Sequence, residues 1–109
     1  MSNYQTQIST MQELPGVTAV GVASSAGQMI TTSSPLIEAE LASIATSMYA
    51  NLSVQIKRMQ RGLLKRLLLE TDQGITLISG LSDGNLMIVF VNSAEGFNLS
   101  KLLETASRL

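Results

Sequence analysis

Ile37, Leu41, Ile44, Ala45, Met48, Leu52 and Met59 recur at helical spacing along one stripe. Ser34 is suited to the N-cap, Pro35 to the first helical position and Gly62 to the stop. The pattern predicts a long amphipathic helix from Ser34 to Gln60. Glu38 and Glu40 fall at its positive dipole end, and Lys57, Arg58 and Arg61 at its negative end.

Shorter patterns flank this helix. Tyr4, Ile8, Met11 and Leu14 lie on one helical face ended by Pro15-Gly16, predicting a first helix from Asn3 to Glu13. Val17–Ala23 is apolar on both faces and predicts a strand covered on both sides. A Ser24–Gly27 turn leads to a second strand over Gln28–Ser33, making a hairpin. After the long helix, Leu63–Thr71 reads either as a helical continuation or as a strand. The Asp72-Gln73-Gly74 turn and the β-branched run behind it favour the strand. Ile75–Leu81 and Leu86–Val91 complete a meander around Ser82–Asn85. After an Asn92–Phe97 loop, Asn98 caps a last helix bearing Leu99, Leu102, Leu103, Ala106 and Leu109 on one face. The expected architecture is α/β with three layers. A five-stranded antiparallel sheet carries the long helix on one face and the two short terminal helices on the other, in a single domain over residues 1–109. Leu86–Val91 belongs inside the sheet and Leu63–Thr71 at an edge.

The back of the long helix changes this picture. No charged residue lies between Glu40 and Lys57. Opposite the apolar stripe stand Ala39, Ala42, Ser43, Thr46, Ala50, Ser53 and Val54, where a water-facing helix usually carries Lys and Glu. Two readings remain open: a small polar surface or one buried within its own monomer, and a seam covered by a second copy of the helix. An antiparallel pair with its axis near Ser47 and Met48 would bring Glu38 and Glu40 beside Lys57, Arg58 or Arg61 of the other copy. Ala42 would then face Val54, and Thr46 would face Ala50. The expected dimer interface is Glu38, Ala39, Ala42, Ser43, Thr46, Ala50, Ser53, Val54, Lys57, Leu64, Arg66 and Leu68.

Charge adds a second candidate. The 109 residues carry a net charge of −1, yet five of the seven basic residues fall between Lys57 and Arg66. Arg58, Arg61 and Lys65 are candidate contacts for a partner or an anion. The competing reading is a helix end complementing its own dipole beside a charged edge strand. Two Phe, two Tyr and no Trp give a nucleic-acid site little to stack with, so no nucleic acid is expected.

Catalytic chemistry finds little material. The chain has no Cys and no His, hence no thiolate, no disulfide and none of the commonest general base. Glu70, Asp72, Asp83 and Glu95 sit at predicted turns without calcium-loop spacing. Gly80, Gly84 and Gly96 lack the Gly-Lys-Ser/Thr ending of a phosphate loop. No catalytic residue, metal or cofactor is expected, and the chain is not read as an enzyme. The first seven residues contain neither a basic segment nor an apolar run, and no stretch approaches the roughly 20 apolar residues of a membrane span. A cytoplasmic protein is the expectation.

The order and punctuation of these pieces resemble the roadblock family of dynein light chains and small-GTPase regulators. The residues that carry the likeness are Leu14-Pro15-Gly16-Val17, Ala23-Ser24-Ser25-Ala26-Gly27-Gln28-Met29-Ile30, Leu69-Glu70-Thr71-Asp72-Gln73-Gly74, Leu81-Ser82-Asp83-Gly84-Asn85-Leu86 and Asn98-Leu99-Ser100-Lys101-Leu102-Leu103. The resemblance implies a homodimer or heterodimer in which the long helices pack and the following strands pair. It implies a dimeric adaptor or regulator that binds a small Ras-like GTPase and is not itself a hydrolase. The alternatives are a scaffold or motor light-chain-like dimer without a GTPase, or a peripheral binder of anionic lipid through the basic cluster. Contact with a membrane is expected only indirectly, if at all. No family active-site residue carries over.

Overall fold

The computed structural model describes residues 4–92 and 96–109. Asn3, where the sequence pattern starts the first helix, and Glu95 lie outside them. The element order is α1 (Gln5–Gln12), β1 (Val17–Ala23), β2 (Met29–Thr32), α2 (Ala39–Arg58), β3 (Arg66–Thr71), β4 (Gly74–Gly80), β5 (Leu86–Val91) and α3 (Leu99–Ser107). The strands form one antiparallel sheet in the order β2-β1-β5-β4-β3. β5 is central, as its unbroken apolar run requires, and β3 is an edge.

Two apolar clusters divide the layers. Ile8 and Met11 of α1 and Leu102 and Ala106 of α3 close over Val20, Val22, Leu77, Met87 and Val89 on one face of the sheet. On the other, Ala42 and Ala45 of α2 close over Ala19, Ala23, Leu67, Ile78 and Ile88. The alternation along each strand sends neighbouring residues to opposite layers. The three-layer α/β architecture expected from the sequence is therefore the one observed.

Polar contacts tie the chain's beginning to the far turns. The Tyr4 hydroxyl donates to Asp83 Oδ2 and accepts from Asn85 Nδ2, which lies 2.7 Å away. Asn85 Oδ1 in turn accepts from the Ser25 N–H at 3.2 Å. Tyr4 is only 6% exposed, so its phenol needs these partners.

The boundaries of α2 differ from those expected. Ser34 does not cap it. Its Oγ accepts from the Leu36 N–H at 3.1 Å, its carbonyl accepts from the Ile37 N–H at 3.2 Å, and the helix begins at Ala39 behind Glu38. The reason is Ile37, buried to 2% against β1, where a Cβ on Gly21 would stand 3.1 Å from its Cγ2. Seating that side chain requires a turn before the helix. At the other end α2 stops at Arg58. Gln60, with φ 59°, takes the left-handed position, and the N–H groups of Gln60 and Arg61 bond back to Lys57 and Ile56. Met59 consequently leaves the apolar stripe and is exposed. The strand reading of residues 63–71 holds from Arg66 onward.

Candidate functional site: the outer face of the long helix and the open strand edge

The arc of α2 that meets the sheet is centred on Ala42, Ala45, Tyr49 and Leu52. This is a rotation from the stripe read in the sequence. Ile44, placed there as a core position, is 44% exposed, whereas Ala42, assigned to the far face, is fully buried. The small side chains do admit a close backbone, but part of that backbone belongs to the same chain. Ala42 and Ala45 let the helix settle on the sheet. The β1–β2 turn approaches beside them: a Cβ on Gly27 would stand 3.4 Å from Ser43 Cα, and Thr46 Oγ1 donates to the Ser24 carbonyl at 3.3 Å. Ala42 thus leaves the candidate dimer surface, and Thr46 stands at its margin, half-buried.

What faces outward is Ala39, Ser43, Ile44, Ser47, Ala50 and Val54, with Ser53 half-buried. This face contains no charge between Glu40 and Lys57 and includes a 55% exposed valine. At one edge of the sheet, β3 has an outer side that pairs with no strand among the described residues. Leu68 is 38% exposed, while Leu64 and Arg66 are half-buried. The helix and the edge strand were both legible in the sequence. The share of the small face covered by the β1–β2 hairpin was not.

Charge is polarised along these two elements. Lys57, Arg58, Arg61 and Lys65 are exposed where α2 ends and β3 approaches. Glu38 and Glu40 are exposed at the start of α2, and Glu70 and Asp72 at the far end of β3. Leu36, ahead of α2, lines one cleft with Thr71 and Gln73 at the far end of β3. α2 spans roughly 30 Å from its acidic end to its basic end.

Tyr49 fixes the junction between the two elements. Its hydroxyl donates to the Leu64 carbonyl at 2.9 Å and lies 3.3 Å from that of Lys65. Burial pushes its pKa above the ordinary tyrosine value of 10.0, against a smaller opposing effect of the Arg66 charge. The Lys65 carbonyl also accepts from the Gly80 N–H at 3.0 Å, which locks the chain onto β4 just before β3 begins.

Among the described residues, no group of three or more His, Cys, Asp or Glu could hold a metal ion, and no helix is long and apolar enough to cross a membrane. The arrangement offers surfaces and charge, suited to recognition.

Neither a family model nor a curated protein matches the chain. Solved structures do. The chain is similar to a roadblock/LC7 domain from Streptomyces avermitilis, with a TM-score of 0.81 at 17% identity, over 98% of this chain and 91% of that one. It is similar to Myxococcus xanthus MglB, with a TM-score of 0.76 at 13% identity, over 98% and 93%. The gliding protein MglB from Thermus thermophilus aligns with a TM-score of 0.75 at 13% identity, over 94% and 79%. At such identities the likeness speaks to architecture. Element order, strand order and two-sided helix layering agree with it: the chain has the roadblock/LC7 fold.

Proposed function

We propose that this chain is a cytoplasmic, dimeric adaptor that binds and regulates a small Ras-like GTPase, with no hydrolytic activity of its own. The observation that carries the reading is an exposed face of α2 without charge, in a chain whose β3 edge is open, with cations where α2 ends and carboxylates where it begins. Such a surface is self-complementary under a two-fold rotation. Antiparallel α2 helices set Glu38 and Glu40 against Lys57 of the second copy, around a seam of Ala39, Ser43, Ser47, Ala50 and Val54. Antiparallel β3 strands centred between Leu68 and Leu69 set Arg66 opposite Thr71, next to Glu70 and Asp72. A parallel arrangement would oppose like charges. The GTPase partner is supported by the roadblock resemblance and by the fold shared with a gliding-motility MglB.

Sedimentation and affinity capture test the two halves separately. The wild type is expected to sediment as a dimer at micromolar concentration, and Ala50→Glu as a monomer, because it puts an unpaired charge into a dry seam. The wild type is expected to retain a Ras-like GTPase encoded beside it, with retention differing between the GTP- and GDP-loaded forms. A monomeric wild type removes the dimer. A dimer that retains no GTPase in either state removes the regulator and leaves a scaffold.

A further inference from the structure

The connection between α2 and β3 presents more than charge. Leu63 is 74% exposed and Met59 65%, the two most exposed large apolar side chains among the described residues. They alternate with Arg58, Arg61 and Lys65, all exposed. None of these three cations forms an ion pair among the described residues; Arg58 donates only to Gln55 Oε1 at 3.4 Å. Residues 57–66 hold five cations and no carboxylate, while the rest of the chain holds eight carboxylates and only two cations. The cations are thus concentrated in one segment, which also carries the most exposed large apolar side chains among the described residues.

We infer that this connection docks on an anionic lipid surface, with Met59 and Leu63 entering the headgroup boundary and Arg61 and Lys65 meeting lipid phosphates. Exposed apolar side chains gain by leaving water for the acyl boundary, and flanking cations gain by the negative surface potential. An acidic protein surface would use the cations but leaves two large apolar side chains at the tip unexplained. The seam residues Ser47, Ala50 and Val54 and the strand β3 lie outside the connection, so docking does not depend on the GTPase reading.

Vesicle flotation of the full chain decides it. Vesicles of phosphatidylcholine with phosphatidylserine are compared with phosphatidylcholine alone, at low and high salt. The chain is expected to float with the anionic vesicles at low salt, to float less at high salt, and to stay down with the neutral ones. Each cation near an anionic surface changes partitioning roughly fivefold, so Arg61→Ala with Lys65→Ala should lower it by about twenty-five-fold. Met59→Ser with Leu63→Ser should lower it at least about tenfold by removing apolar transfer. These side chains are exposed, and circular dichroism checks that both variants keep the wild-type fold. Absence of flotation on anionic vesicles at low salt overturns the inference, as does flotation that neither double variant reduces. Retention on immobilised polyglutamate without vesicle binding also overturns it, in favour of an acidic protein partner.

Discussion

Tyr49 lies across Gly80: a Cβ on that glycine would stand 2.7 Å from the tyrosine hydroxyl oxygen. That hydroxyl is held by carbonyls at the start of the β3 approach, so it cannot swing aside without losing hydrogen bonds. Gly80→Ala should therefore destabilise the fold by about 1–2 kcal/mol, measured by urea unfolding. Tyr49→Phe alone should cost about 1 kcal/mol. The two should be strongly non-additive. Without the oxygen, the nearest aromatic carbon lies 3.5 Å from the new methyl, an ordinary contact, so Gly80→Ala should cost almost nothing in the Tyr49→Phe background. Simple additivity would mean that the glycine is required for another reason.

Tyr49 also gives the stability curve an alkaline edge. Burial raises its pKa in the folded state above 10.0, while the unfolded chain keeps the ordinary value. Between the two values the folded state holds a proton that the unfolded state has released. Stability contributed by the neutral phenol is fully present below pH 10.0 and falls as pH rises through the folded-state value. Thermal unfolding followed from neutral to strongly alkaline pH should show this loss, and Tyr49→Phe should flatten it. An unchanged alkaline slope in the variant would assign the loss to other groups.

Ser79 offers a stabilising change. It is 1% exposed in β4, and its hydroxyl finds no hydrogen-bond partner. It pairs with Met87 across the ladder, on the face covered by α1 and α3. A buried hydroxyl without a partner carries a desolvation penalty, and removing the oxygen leaves only a small void. Ser79→Ala should raise stability by about 1 kcal/mol in urea unfolding. A loss of similar size would mean that the hydroxyl has a partner in solution.

How much of this was readable beforehand depends on what fixes each feature. Leu86–Val91 and Val17–Ala23 were legible to the residue because continuous apolar runs end at turn residues. Asn98 was legible as a cap because capping is local, and its Oδ1 accepts from the Lys101 N–H at 3.0 Å. Ser34 misled because it forms an equally local turn two residues before Ile37 enters the core. Met59 misled because helical spacing continues through it, while the helix stops one residue before it, at Arg58, and Gln60 turns left-handed. At the candidate site, the absence of charge from 41 to 56 announced a special surface. The direction in which α2 is rotated is set by its contact with the sheet, so Ala42 and Ile44 exchanged places relative to the pattern.

The polarised surface makes the final prediction, a swap of charge between two copies. In an antiparallel pair, each copy's Glu38 and Glu40 face the other's Lys57 and Arg58, and two-fold symmetry makes every contact occur twice. Exposed pairs contribute only about 0–1 kcal/mol each, but reversing both residues at one end alters both copies of each contact. Glu38→Lys with Glu40→Lys should weaken self-association by roughly tenfold, and Lys57→Glu with Arg58→Glu should do the same, with both effects shrinking at high salt. Neither variant touches the uncharged seam, so each should keep the fold. Mixed together, the two variants restore opposite charges at one end of the pair while the other end keeps its native contacts. Sedimentation of the mixture should therefore recover a heterodimer that forms more readily than either variant's homodimer. Equal association of the mixture and the separate variants would mean that the acidic and basic ends do not meet, and would exclude the antiparallel geometry.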